Sequence, residues 1–205
     1  MMKRLFVLGL LLTVAACSQY QLVPAGNVKF VDDGATTSTP VAWNGHNTES
    51  LYTWTQDGPL LENMLFHINV KDGKTLTKGL DVERTFDPLA VLFGTVPDEV
   101  SYRFNKAMTE PEIMDLFTAS YARIFGSPVT ATNLRPATLG GEPGFRFEYA
   151  FTGKDEVRRI GIAVGAVVDS KLTLVHYYGT EMYHFQKHRD DAEQVIAAFR
   201  FDKKS

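Results

Sequence analysis

Between residues 109 and 126 the apolar positions recur three and four apart. Ile113, Leu116, Phe117, Tyr121 and Ile124 form one stripe, so the spacing predicts a helix with one buried face. Thr109-Glu110-Pro111-Glu112 predicts where it starts. A threonine followed three residues later by glutamate is a capping box, and proline is tolerated in the first turn. Gly126 and Pro128 predict where it stops. Beyond it the period changes from helical to alternating. Phe145, Phe147, Tyr149 and Phe151 alternate with Arg146, Glu148 and Ala150, which predicts a strand with one covered face. Val129 to Ala137 reads as the strand before it, with Gly140 to Gly144 as the turn between. Ile160 to Val168 is apolar and small throughout, as a strand covered on both faces requires. Asp169-Ser170 reads as a hairpin turn into Leu172 to Tyr178. A closing helix is expected from Glu181 to Ala198, with Phe185, Ala192, Val195, Ile196 and Phe199 on its apolar face.

The first half predicts short strands at Val28–Val31, Val41–Trp43, Leu51–Thr55 and Leu61–Val70. Gly34 to Pro40 reads as a small polar loop, and Asn44-Gly45 and Asp57-Gly58-Pro59 as turns. Residues 87–93 fit a short helix or a buried strand.

The beginning of the chain follows another pattern. Lys3-Arg4 precedes an uncharged apolar run from Leu5 to Ala16. That run is short of the ~20 residues a bilayer span needs, and it fits a secretory signal. Val14-Ala15-Ala16-Cys17 resembles the lipobox of bacterial lipoproteins. The resemblance implies cleavage before Cys17, diacylglyceryl transfer to its sulfur and acylation of the new amino terminus. Several acyl chains hold a protein on a bilayer lastingly where one does not. If the host has two membranes, Ser18 in place of an aspartate leans toward the outer rather than the inner one. The expected organisation is a signal at 1–16, a lipidated Cys17 with its tether at 17–26, and a single α+β domain at 27–205. The expected address is the bacterial cell envelope, periplasm-facing.

Composition narrows the function classes. The 205 residues carry a net charge of −3, and loss of the signal with Lys3 and Arg4 makes it −5. An acidic balance argues against a dedicated nucleic-acid binder. The one cysteine excludes an internal disulfide and a cysteine-cluster metal site.

Residues 100–201 carry a second resemblance. A central amphipathic helix, Leu139-Gly140-Gly141-Glu142-Pro143-Gly144-Phe145-Arg146-Phe147-Glu148, the 160–175 hairpin and a final helix ending in Phe199-Arg200-Phe201 are similar to the PsbP-like fold. The resemblance implies an antiparallel sheet flanked by a central and a C-terminal helix, an α/β/α sandwich. Its members are mostly binding or assembly factors rather than enzymes.

Candidate chemistry concentrates in residues 176–188. With 181–198 helical, Glu181, His184 and His188 fall along one side of the helix. Together with His176 from the preceding strand they form a candidate site for zinc or another divalent ion, or for a small ligand. Trp43, Tyr52 and Trp54 are candidates for a partner surface, against an ordinary place in the core. There is no Gly-x-Ser-x-Gly elbow, and Gly140, Gly141 and Gly144 lead into a strand rather than a phosphate-binding helix. A cryptic hydrolase is therefore the weakest reading. The expectation is a membrane-anchored, non-catalytic module with no cofactor besides its lipid, binding another envelope component.

Overall fold

A computed structural model of the chain describes residues 20–30, 34–48, 51–77 and 102–202. The signal and lipobox residues, the 87–93 segment and Lys203-Lys204 lie outside the described residues. In chain order the strands are β1 (Gln21–Val23), β2 (Gly26–Phe30), β3 (Ala35–Thr39), β4 (Trp43–Thr48), β5 (Leu51–Thr55) and β6 (Glu62–Lys71). Helix α1 (Glu110–Phe125) follows. Then come β7 (Val129–Leu139), β8 (Glu142–Thr152), β9 (Arg158–Val168), β10 (Lys171–Thr180), helix α2 (His184–Ala198) and β11 (Arg200–Phe201). Eight strands make an antiparallel sheet in the order β1-β4-β5-β6-β10-β9-β8-β7. A small sheet, β11-β3-β2, lies beside α2.

Each face of the large sheet has its own helix. The Ile113, Leu116, Phe117 and Tyr121 stripe of α1 packs on Phe145, Phe147, Tyr149, Leu172 and Leu174. On the other face Phe185, Ala192, Val195 and Ile196 of α2 pack on Phe66, Ile162, Val164, Val175 and Tyr177. Strand β9 contributes Ala163 to one core and Ile162 to the other, as a strand apolar on both faces must. The α+β architecture expected from the sequence is the one observed. Glu112 Oε2 accepts from the Thr109 amide at 2.7 Å and from Thr109 Oγ1 at 2.8 Å. Gly126 closes the helix with φ 65°.

Four expectations are corrected. Residues 34–40 are not a loop, because 35–39 form β3. Ala35, Thr37 and Thr39 are buried, and each threonine hydroxyl has a partner. Thr37 Oγ1 donates to the Val195 carbonyl at 2.7 Å. Thr39 Oγ1 donates to the Val41 carbonyl at 2.8 Å and accepts from Trp43 Nε1 at 2.8 Å. Paired hydroxyls are cheap to bury, and β-branched threonine suits a strand. Asn44-Gly45 is not a turn but lies inside β4. Gly45 is needed for closeness, since a Cβ there would meet the Val23 side chain at 2.6 Å. The 17–26 stretch is not all tether, because Gln21–Val23 pairs with β4 and Gly26 opens β2. The closing helix begins at His184 rather than Glu181. Strand β10 continues to Thr180, whose Oγ1 accepts from the His184 amide at 3.3 Å.

Candidate functional site

Of the four residues expected to cluster at 176–188 the structure keeps only His184 and His188 together, with their Nε2 atoms 3.9 and 2.7 Å from Asp57 Oδ2. Glu181 lies in the turn before the helix and pairs with Arg158 at 3.0 Å. His184 Nδ1 lies 2.8 Å from Thr180 Oγ1. His188 is buried, with Nε2 2.7 Å from Asp57 Oδ2, and Lys187 Nζ reaches the same oxygen at 2.6 Å. The Lys187 and His188 hydrogen bonds hold the Asp57 carboxyl below the usual carboxylate range. His176 points to the other face of the sheet, into the α1 core, and cannot join them. Among the described residues no group of three or more His, Cys, Asp or Glu is placed to hold a metal ion.

Trp43 and Trp54 are each 1% exposed, and Tyr52 packs against the same core. Trp54 and Phe66 meet at 4.6 Å, and Phe30 sits edge-on to Tyr52 at 4.7 Å. The tryptophans are core and offer no surface to a partner.

The fold instead gathers polar residues that sequence spacing does not connect. Glu62 is fully buried at the start of β6. Its Oε1 accepts from Thr55 Oγ1 at 2.6 Å, the Gln56 amide at 2.5 Å and the Asp57 amide at 3.0 Å. Burial pushes its pKa up against those three donors. One carboxylate oxygen thus ties the β5–β6 turn.

Deeper, under α1, four side chains form a single hydrogen-bonded chain. Tyr149 OH lies 2.7 Å from His176 Nδ1, and His176 Nε2 lies 2.7 Å from Tyr121 OH. Tyr121 OH in turn lies 2.6 Å from His67 Nε2. The remaining His67 nitrogen bonds to the Leu76 backbone. A neutral imidazole donates once and accepts once, so the proton order follows. His67 donates to Leu76, accepts from Tyr121 and leaves Tyr121 to accept from His176, which accepts from Tyr149. Burial drives His67 down to about 3 and His176 well below the usual histidine value. All four groups are neutral, paired and out of reach of solvent, which makes the chain a structural element rather than an acid–base site.

The surface has two features suited to binding. A groove of about 680 Å³ lies along the flank of α2, over the uncovered part of β7, β8 and β9. Ala150, Ile160 and Ile162 line it together with Thr130, Thr132, Arg158, Gln186 and Arg189. Elsewhere, three turns meet at one end of the sheet. The Thr180 amide donates to the Leu61 carbonyl at 3.0 Å, the Glu181 amide to the Arg158 carbonyl at 3.1 Å, and Arg159 Nη2 to the Leu60 carbonyl at 2.6 Å. These bonds bring together the turns that carry Leu60, Val157, Met182 and Tyr183, at 77%, 38%, 99% and 59% exposure. The sequence reading missed them because they are isolated apolar residues in separate turns. The one signal was the Met182-Tyr183 pair between a strand and a helix.

No protein-family model matches the chain, and no curated protein matches it. Several solved structures are similar in fold. The solution structure of cyanobacterial PsbP (CyanoP) from Synechocystis sp. PCC 6803 superposes with a TM-score of 0.54 at 14% identity. It covers 91% of this chain and 95% of that one. A crystal structure of a protein from Bacteroides thetaiotaomicron VPI-5482 superposes with a TM-score of 0.50 at 9% identity. It covers 89% of this chain, which spans 50% of that one. At these identities the likeness shows a PsbP-like fold and nothing about activity.

Proposed function

We propose that this protein is a lipid-anchored component of the bacterial cell envelope, held at Cys17, whose α+β domain is a non-catalytic binding module for another envelope protein. The observation that supports this most is the exposed apolar set Leu60, Val157, Met182 and Tyr183 on three hydrogen-bonded turns. Clustered, exposed large apolar side chains mark interaction surfaces. Their place in the fold fits an anchor. Strand β1 runs toward these turns, with Val23 opposite Trp43 and Gln21 opposite Gly45. Its N-terminal end therefore points away from them. An anchor that joins through β1 leaves the apolar turns free for a partner.

Crosslinking in living cells tests this. A C-terminally tagged protein with Cys17 intact is expected to capture one recurrent envelope partner, and the Met182→Glu, Leu60→Glu double variant to lose it. Capture that is unchanged in the double variant sinks the surface. Palmitate labelling of wild type against Cys17→Ser checks the anchor separately.

A further inference from the structure

A second cavity, of about 330 Å³, opens on the α1 side of the sheet. Its floor is aromatic. Phe125 and Phe151 stack with centroids 3.7 Å apart, and Tyr178 meets them edge-on at 5.5 and 5.4 Å. Pro59, Leu60 and Ile124 complete the apolar lining.

Two cations stand at the cavity, in different conditions. Arg159 is fully engaged. It binds Asp155 through both nitrogens, at 3.0 and 2.7 Å, and the carbonyls of Val157 and Leu60 at 3.0 and 2.6 Å. Lys154 makes no hydrogen bond or ion pair among the described residues, and its stem lies against Gly126, the C-cap of α1. A cation there offsets the negative end of the helix, which would otherwise repel an anion.

Tyr178 is an independent pointer to a ligand. It is 9% exposed and lines the cavity. Asn63 Nδ2 donates to the Pro59 carbonyl at 2.6 Å and lies 2.8 Å from Tyr178 OH. A carbonyl only accepts, so the Pro59 contact fixes which way the Asn63 amide faces, and the Tyr178 oxygen must accept from it. The Tyr178 hydroxyl proton is then left without an acceptor among the described residues. A buried donor without an acceptor is costly, and a ligand oxygen relieves it.

We propose that this cavity is a binding site for a small amphipathic carboxylate. The apolar tail lies on Phe125, Phe151 and Tyr178. The carboxylate accepts the Tyr178 proton in a hydrogen bond and faces the Lys154 ammonium. At roughly 30 Å³ per non-hydrogen atom the cavity holds about eleven such atoms, the size of an eight-carbon acid. The site uses neither Cys17 nor Met182 and shares only Leu60 with the proposed partner surface, so Lys154→Glu and Tyr178→Phe test it without touching that surface's Met182.

Octanoate and octanol are the probes, titrated calorimetrically into the full-length Cys17→Ser chain prepared without detergent. Octanoate is expected to bind saturably, one per chain, and octanol, with the same tail and no charge, about tenfold more weakly. Lys154→Glu should weaken octanoate about tenfold and leave octanol unchanged. Tyr178→Phe should weaken octanoate similarly. If that variant fails to fold, Lys154→Glu decides alone, because Lys154 carries no part of the core. Absence of saturable octanoate binding at millimolar concentration overturns the proposal. So does octanoate binding that Lys154→Glu leaves unchanged.

Discussion

His176 shows how one residue reads differently alone and in register. Between apolar neighbours and close to His184 and His188 it has the composition of a metal ligand. Strand parity decides otherwise. His176 shares its face with Leu174 and Tyr178, while Val175 and Tyr177 face α2. That alternation is in the sequence; what it meets across the sheet is not. Tyr149 is 27 residues away and Tyr121 is 55, and only the folded register joins them. The chain they form makes stability depend on pH. In the unfolded protein His67 binds a proton below its ordinary value of 6.5, but in the folded protein only near 3. Stability should therefore be constant in this respect above pH 6.5 and fall steadily as pH drops from there toward 3. Urea melts across that range check the slope, and a flat profile would contradict the buried neutral pair. Tyr149→Phe removes the one donor to His176 Nδ1 and leaves a buried acceptor unpaired. An equilibrium melt should show a loss of about 1–3 kcal/mol.

Elements were legible where periodicity and punctuation agree. The 110–125 helix, the alternating β8 and the Asp169-Ser170 hairpin all carry both signals. That hairpin takes positive φ at both central residues, 49° and 61°, the geometry that favours Asn-Gly. Ser170→Gly should relieve the second position and raise the midpoint of thermal unfolding, by up to about 1 kcal/mol in stability. The misread elements are those where a residue type had two physical uses. Glycine at 45 serves close packing rather than a turn. Threonine at 37 and 39 serves buried, hydrogen-bonded strand positions rather than a loop. Glycine at 161 is another case of closeness. A Cβ there would lie 2.4 Å from Tyr149 Cζ and 2.7 Å from its hydroxyl. Gly161→Ala must push Tyr149 off His176. It should cost about 1–3 kcal/mol, the usual effect of overpacking, with a shifted near-ultraviolet tyrosine signal as its marker.

At the scale of the whole molecule, the sheet's edges and its ends have different tasks. The edges are closed to further pairing by different means. Strand β1 is three residues long, and β7 carries a register shift between Thr132 and Arg135, Asn133 at φ 57°, and Pro136. Short, bulged or proline-bearing edges resist the addition of another strand. That leaves the ends and the groove as places for contact, and the two ends are not alike. One gathers Leu60, Val157, Met182 and Tyr183; the other carries the Asp169-Ser170 turn. A turn residue that is 99% exposed, such as Met182, contributes little to folding. The Met182→Glu, Leu60→Glu double variant should therefore keep its unfolding midpoint, within about 0.5 kcal/mol per site, while losing partner capture in cells. Lys171→Glu, at the opposite end, serves as the control of equal total charge change. It should keep both stability and capture. If Lys171→Glu abolishes capture and the double variant does not, the ends have been assigned the wrong way round.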